Sequence, residues 1–362
     1  MLNTLQRAKY FTEKHLSRLM LKSVPLPLLE KAMGIKAPLE IDGRTMDPLM
    51  RLLSEVHAMQ PAIESFGVEN GREVYEQMAA ALDCPFAKGV TKQDRTITLD
   101  SDLEGPRDIN IRVYKKSQPF TSQRPVMVFY HGGGLVIGSI HSTDRFCALL
   151  ADVLDHVVVS VEYRLTPEHP FPAPAYDAID AFTWVQQNAG HLGGDPENVY
   201  TCGDSAGGQL SAIVAQQTVL LNRPQPKIQV MIYPLVDAHF RGESHQTMGE
   251  GFLLTRGLLH WCREKFCPNP ENRDQVLLSP FYGDAELLAK LPPAVLTTAG
   301  FDLLRDDGAA YAKKLEAAGN DITHIEFSSL PHGYVTMTGL VPAAKMAILE
   351  TAGQIERKLA NL

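Results

Sequence analysis

The chain of 362 residues has only five cysteines, Cys84, Cys147, Cys202, Cys262 and Cys267, and none of them has C-x-x-C spacing. An odd number cannot pair completely within one chain, so they read as reduced thiols in a cytoplasmic protein. The chain also lacks any run of the roughly 18 to 20 apolar residues that a membrane-spanning helix needs. Its first 22 residues carry Arg7, Lys9, Lys14, Arg18 and Lys22 but no unbroken apolar segment, so they do not read as a secretory signal. A cap helix is the expectation there, with a membrane-surface helix as the alternative. Cationic residues are in the minority, 34 Lys and Arg against 42 Asp and Glu for a net charge of −8, and they form no basic stripe. That argues against nucleic acid as the main partner and for a small molecule. At 44% hydrophobic and 21% charged residues, the composition excludes a disordered or low-complexity chain and allows a large core.

Up to about residue 90 the pattern is helical and irregular, with Leu49, Leu52, Leu53, Val56 and Met59 recurring at threes and fours and no strand signal. From Thr96 the pattern becomes alternating, in TITLDSD and DINIRVYKK on either side of Gly105 and Pro106, which reads as a hairpin. Short Val-, Ile- and Tyr-rich runs follow at 125–131, 156–163, 198–203, 227–235, 293–300 and 322–328, separated by helix-length segments. Strand and helix in alternation imply an α/β fold with a mainly parallel sheet covered on both faces. Between Leu235 and Pro293 the chain is too long for one crossover. The excess reads as an insertion with a helix from Leu254 to Phe266, where Phe252, Leu253 and Trp261 are candidates to line a pocket.

Gly203-Asp204-Ser205-Ala206-Gly207 lies where the strand NVYTC runs into a helical pattern. Glycines on both sides of a serine permit a tight turn that exposes the hydroxyl at the carboxyl end of a sheet. On its own G-x-S-x-G arises by chance in roughly one chain in ten of this length. Here His131-Gly132-Gly133-Gly134 precedes it, directly after another strand, and three glycines let backbone N–H groups approach an oxyanion. His332, in Pro331-His332-Gly333 after the last strand, is the candidate base. Asp302, at the end of PAVLTTAGF, is the candidate acid, with Asp306 and Asp307 a turn later as alternatives. His131 reads as support for the glycine loop, Asp204 as a turn stabiliser, His324 as structural, and His141 and His169 as loop residues.

These motifs resemble those of the hormone-sensitive-lipase-like esterases, a branch of the α/β-hydrolases, over about residues 91–362. The resemblance rests on the H-G-G-G loop, the G-D-S-A-G-G elbow, and Tyr163-Arg164-Leu165-Thr166-Pro167-Glu168, in which Thr166 stands where the family has alanine. It extends to Asp302-Leu303-Leu304-Arg305-Asp306 and to Pro331-His332-Gly333-Tyr334, with Tyr334 for the usual phenylalanine. It implies an eight-stranded α/β-hydrolase core in two parts, 91–235 and 276–362, under a helical cap built from residues 1–90 and 236–275. It also implies a carboxylesterase for short- to medium-chain esters, in a family whose members with a G-G-G loop are associated with esters of tertiary alcohols. Ser205, His332 and Asp302 would be the triad. Backbone N–H groups of Gly133, Gly134 and Ala206 would form the oxyanion hole, with His131, Gly132, Gly203, Asp204 and Gly207 in support and no metal or cofactor. The sequence also admits a homodimer. A histidine base works only when neutral, so activity is expected to fall as pH drops through the ordinary imidazole range, about 6 to 7. The rival readings are an amidase or deacetylase acting on N-acyl groups, and a non-catalytic small-molecule receptor.

Overall fold

The computed structural model describes residues 23–118 and 123–362; the cap helix expected in the first 22 residues, and its membrane-surface alternative, lie outside the described residues. The helix Pro48–Ala58 starts where Asp47 accepts hydrogen bonds from the N–H groups of Leu49 and Met50, at 2.9 and 3.0 Å. It lies between a short helix, Leu26–Ala32, and a longer one, Gly67–Leu82. One element departs from the sequence reading: Glu40–Ile41 (β1) and Arg44–Thr45 (β2) pair as a small antiparallel hairpin. Asp42 and Gly43 both have positive φ, 51° and 72°, as a two-residue Asp-Gly turn favours, but strands of two residues are too short to alternate visibly. Bonds from the Arg44 guanidinium to Glu326, at 2.5 and 2.8 Å, hold the hairpin to the last strand.

The alternating segments form the expected hairpin, Val90–Leu99 (β3) and Arg107–Lys116 (β4), in which Ile97 stands opposite Ile109. Arg124–Tyr130 (β5), Val157–Glu162 (β6), Gly194–Asp204 (β7), Gln229–Ile232 (β8), Ala294–Phe301 (β9) and Ile322–Pro331 (β10) complete an eight-stranded sheet in the order β10-β9-β8-β7-β5-β6-β4-β3. Only the pairs β3–β4 and β4–β6 are antiparallel. The central strands are apolar on both faces, Val126 to Tyr130 being fully buried, because helices cover both sides. One of these helices, Ala206–Leu220, is apolar nearly all round (Ala212, Ile213, Val214 and Ala215 are all buried), as a helix enclosed by its neighbours must be.

Since β5, β7, β8, β9 and β10 all run parallel, their carboxyl ends share one edge of the sheet. His131 follows β5, Ser205 follows β7, Asp302 follows β9 and His332 follows β10. The insertion adds the helix Arg256–Phe266, which begins where the Thr255 hydroxyl accepts from the Leu258 N–H at 3.1 Å.

Candidate active site

Ser205 sits between β7 and the helix it opens, with φ 55° and ψ −119°. This conformation costs an L-residue on the order of 1–3 kcal/mol and persists only where its surroundings enforce it. The Ser205 N–H donates to the Ile232 carbonyl at 2.8 Å, and the Leu235 N–H donates to the Ser205 carbonyl at 3.2 Å, so the turn is pinned from both sides by β8 and its continuation. The second glycine of the motif is required by close approach: a Cβ on Gly207 would overlap the Tyr130 carbonyl.

The structure brings the three expected side chains together. His332 Nε2 lies 3.0 Å from Ser205 Oγ, and His332 Nδ1 lies 2.7 Å from Asp302 Oδ2. Asp302 is 1% exposed, and its other oxygen accepts from the Leu304 N–H at 2.8 Å, which fixes the carboxylate plane. Asp306 and Asp307 face elsewhere. Asp306 accepts from the Ser244 N–H at 2.7 Å and Asp307 from the Gly242 N–H at 2.9 Å, so both anchor the base of the insertion.

The glycine loop is held from below. The Gly132 N–H donates to Asp204 Oδ1 at 2.8 Å, tying the loop to the elbow, and burial pushes the Asp204 carboxyl up to about 6. Burial pushes His131 down to about 4, which keeps its ring neutral, with Nδ1–H donating to the Gly132 carbonyl at 2.7 Å. The Tyr163 hydroxyl donates to the His131 carbonyl at 2.6 Å, and its ring stacks on the imidazole with centroids 4.3 Å apart. Gly133 has φ 119°, which favours glycine, and Ala206 opens a helix whose first N–H groups have no intrahelical acceptor. Both departures from the family pattern find a partner. The Thr166 hydroxyl donates to the Leu135 carbonyl at 3.0 Å, and the Tyr334 hydroxyl lies 3.1 Å from the Thr297 hydroxyl.

Ser205, His332, Gly133 and Gly134 open onto a cavity of about 220 Å³. Its walls come from both segments outside the motifs: Leu53, Val56 and Met78 from the N-terminal part, Leu254, Leu258 and Leu259 from the insertion. Of the three pocket candidates in the insertion, Leu253 lines this cavity. Phe252 instead packs on Phe301, ring centroids 5.9 Å apart, and the Trp261 ring lies under Lys265. The polar wall residues His57 and Tyr75 were not legible in advance, since a histidine or tyrosine on an amphipathic helix shows no motif. Among the described residues no cluster of three or more His, Cys, Asp or Glu side chains is arranged to hold a metal ion, and no helix is long and apolar enough to cross a membrane.

A sequence profile of the alpha/beta hydrolase fold matches residues 127–336. The chain is 36% identical to the carboxylic ester hydrolase LipN of Mycobacterium tuberculosis over 82% of its own length and 79% of that protein. It is 34% identical to the carboxylesterase NlhH of the same organism, over 87% of this chain and 96% of the relative. This chain is a hormone-sensitive-lipase-like α/β-hydrolase. Among solved structures, the hydrolase superposes on the hyperthermophilic esterase of the archaeon Pyrobaculum calidifontis with a TM-score of 0.77, at 32% identity over 86% of this chain and 98% of that one.

Proposed function

We propose that this hydrolase is a serine carboxylesterase for small esters with short- to medium-chain acyl groups. The observation that carries the reading is the unbroken run of hydrogen bonds from Asp302 through His332 to Ser205, opening onto an apolar cavity. Asp302 holds the proton on Nδ1 and so leaves Nε2 free to accept. Ser205 Oγ attacks the ester carbonyl as its proton passes to Nε2, and the carbonyl oxygen becomes an oxyanion facing the N–H groups of Gly133, Gly134 and Ala206. Collapse expels the alcohol, which takes the proton from His332. Water, deprotonated by the same nitrogen, then attacks the acyl-enzyme and releases the acid and Ser205. This sequence calls on no metal or organic cofactor.

The cavity volume of about 220 Å³ supports small acyl groups, since pockets for drug-sized ligands run to roughly 300–1,000 Å³. The N-terminal segment and residues 236–275 act in this reading as one cap, supported by the walls that residues 53–82 and 253–262 give the cavity. All five cysteines are unpaired, which supports a reducing, cytoplasmic location. The protein would act there on a small-molecule ester, without nucleic acid, as a monomer or homodimer.

Steady-state hydrolysis of p-nitrophenyl esters from acetyl to palmitoyl, with wild type beside Ser205→Ala, tests the reading. Rapid cleavage of the short esters, lowered by about 10⁵- to 10⁶-fold in the variant, is the expected result. A wild type inert toward every ester but active on amides of the same shape would replace the esterase with an amidase.

A further inference from the structure

The helix Gly67–Leu82 lies against the loop that carries the three glycines, fastened at two points. The Arg72 guanidinium donates to the Val136 carbonyl at 2.8 Å and to the Thr166 carbonyl at 3.0 Å, and the Ser139 hydroxyl bonds the Glu76 carboxylate. Residues 72, 75 and 76 share one helical face, so the same two fastenings turn Tyr75 toward the loop. Tyr75 lines the cavity beside Gly133, Gly134, Ser205 and His332.

Its hydroxyl is set apart from those of the other tyrosines. Of the ten tyrosines in the described residues, eight have the phenol oxygen bonded within the protein, as in Tyr130 to the Ala178 carbonyl, Tyr163 to His131 and Tyr311 with Gln216. Tyr75 and Tyr176 have no such partner among the described residues, and only Tyr75 faces the cavity. A hydroxyl that lines a cavity and has no protein partner is free to bond whatever occupies that cavity.

Two ionisable groups beside the glycine loop act on this hydroxyl. It lies within electrostatic reach of the Asp204 carboxylate, which bonds Gly132, and of the Cys262 thiol, which packs on Gly134. Both flank the glycine loop, where the carbonyl oxygen of a bound ester would lie. Burial raises the phenol well above its ordinary range, so the group stays protonated and can only donate to an oxyanion.

We infer that Tyr75 donates its phenol proton in a hydrogen bond to the carbonyl-derived oxygen of the bound ester, adding a side-chain donor from the N-terminal segment to the backbone donors of Gly133, Gly134 and Ala206. The inference rests on the esterase reading above. The donor strengthens its bond as negative charge develops on that oxygen, so it acts on the transition state more than on the bound substrate.

Tyr75→Phe removes the hydroxyl and keeps the ring. With p-nitrophenyl butyrate, kcat should fall about 10- to 100-fold with KM within about twofold of wild type. Affinity for a trifluoromethyl ketone, which forms a hemiketal oxyanion on the serine, should fall by the same factor. The melting temperature should stay within about 2 °C, because no bond inside the protein is lost. A variant with wild-type kcat, or one whose loss lies in KM alone with ketone affinity unchanged, overturns the inference. An inert wild type would instead overturn the esterase reading, so the two failures are distinct.

Discussion

The carboxyl edge of the sheet and the roof of the cavity are built on different principles. At the edge the turns and the catalytic candidates are held by directional hydrogen bonds. Ser205 is pinned through its N–H and its carbonyl, Asp302 through both oxygens, and the glycine loop through Asp204, His131 and Tyr163. The roof is mostly leucine, valine and methionine from two segments far apart in sequence. Directional bonds hold a geometry to tenths of an ångström, whereas apolar contacts are non-directional and tolerate exchange at constant volume. The edge would therefore govern rate for every substrate, and the roof would govern which substrate is chosen.

Asp302→Asn breaks the comparison most directly if it fails. It should lower kcat by about 10⁴-fold across all esters while leaving the fold intact, because an amide no longer enforces the imidazole tautomer. Asp306→Asn and Asp307→Asn, tested alongside, should stay within a few-fold of wild type. A large loss in either of these, with Asp302→Asn near normal, would move the acid.

Asp204 sharpens the electrostatic half of the comparison. Its carboxyl is raised to about 6 in the folded protein against about 3.9 in the unfolded chain. The folded state thus holds a proton between these values that the unfolded chain has released. This contribution to stability is complete below pH 4 and is lost as pH rises through 6. Asp204→Asn does not titrate and keeps an oxygen to accept from Gly132. Its stability relative to wild type should therefore rise between pH 4 and pH 7, by on the order of 3 kcal/mol. Urea unfolding of both proteins at each pH reads this, and a constant difference would contradict it.

Arg72→Met tests the join between edge and roof. It leaves the carbonyls of Val136 and Thr166 without their donor and removes the pair with Glu168. The pair is half exposed and contributes little, so the expected loss is about 1–3 kcal/mol, most of it from the carbonyls, read by urea unfolding. The smallest effect should come from the roof itself. Leu258→Phe adds volume to the wall and should shift the chain-length preference toward shorter esters by about 3- to 10-fold in kcat/KM, with the acetyl ester nearly unaffected. A uniform loss across all chain lengths would mean that this wall also shapes the edge.

Much of the edge was legible in the sequence because its signals are local. A serine between two glycines at a strand-to-helix junction demands a specific turn, and a triple glycine after a strand demands a specific loop. The hairpin was visible from Thr96 onward, where apolar and polar residues alternate, but not the start of its first strand at Val90, since residues 91–95 are all polar. The pair β1–β2 was not, because two residues cannot show a period. The pocket residues Phe252, Leu253 and Trp261 could not be sorted either: all three suit an apolar wall, and only packing sends Leu253 into the cavity and Phe252 onto Phe301. Tyr75 carried no signal, because its position depends on the bond from Arg72 to Val136, sixty-four residues away.

By itself, then, the sequence determined the order of the parts and the chemistry each could supply, because glycine requirements, strand periodicity and residue type act over a few neighbours. Only the tertiary structure decided which of three aspartates meets His332, which hydroxyls stay unbonded and which side chains close the cavity. These depend on parallel strands ending at one edge and on segments more than a hundred residues apart packing against one another, relations that no local pattern encodes.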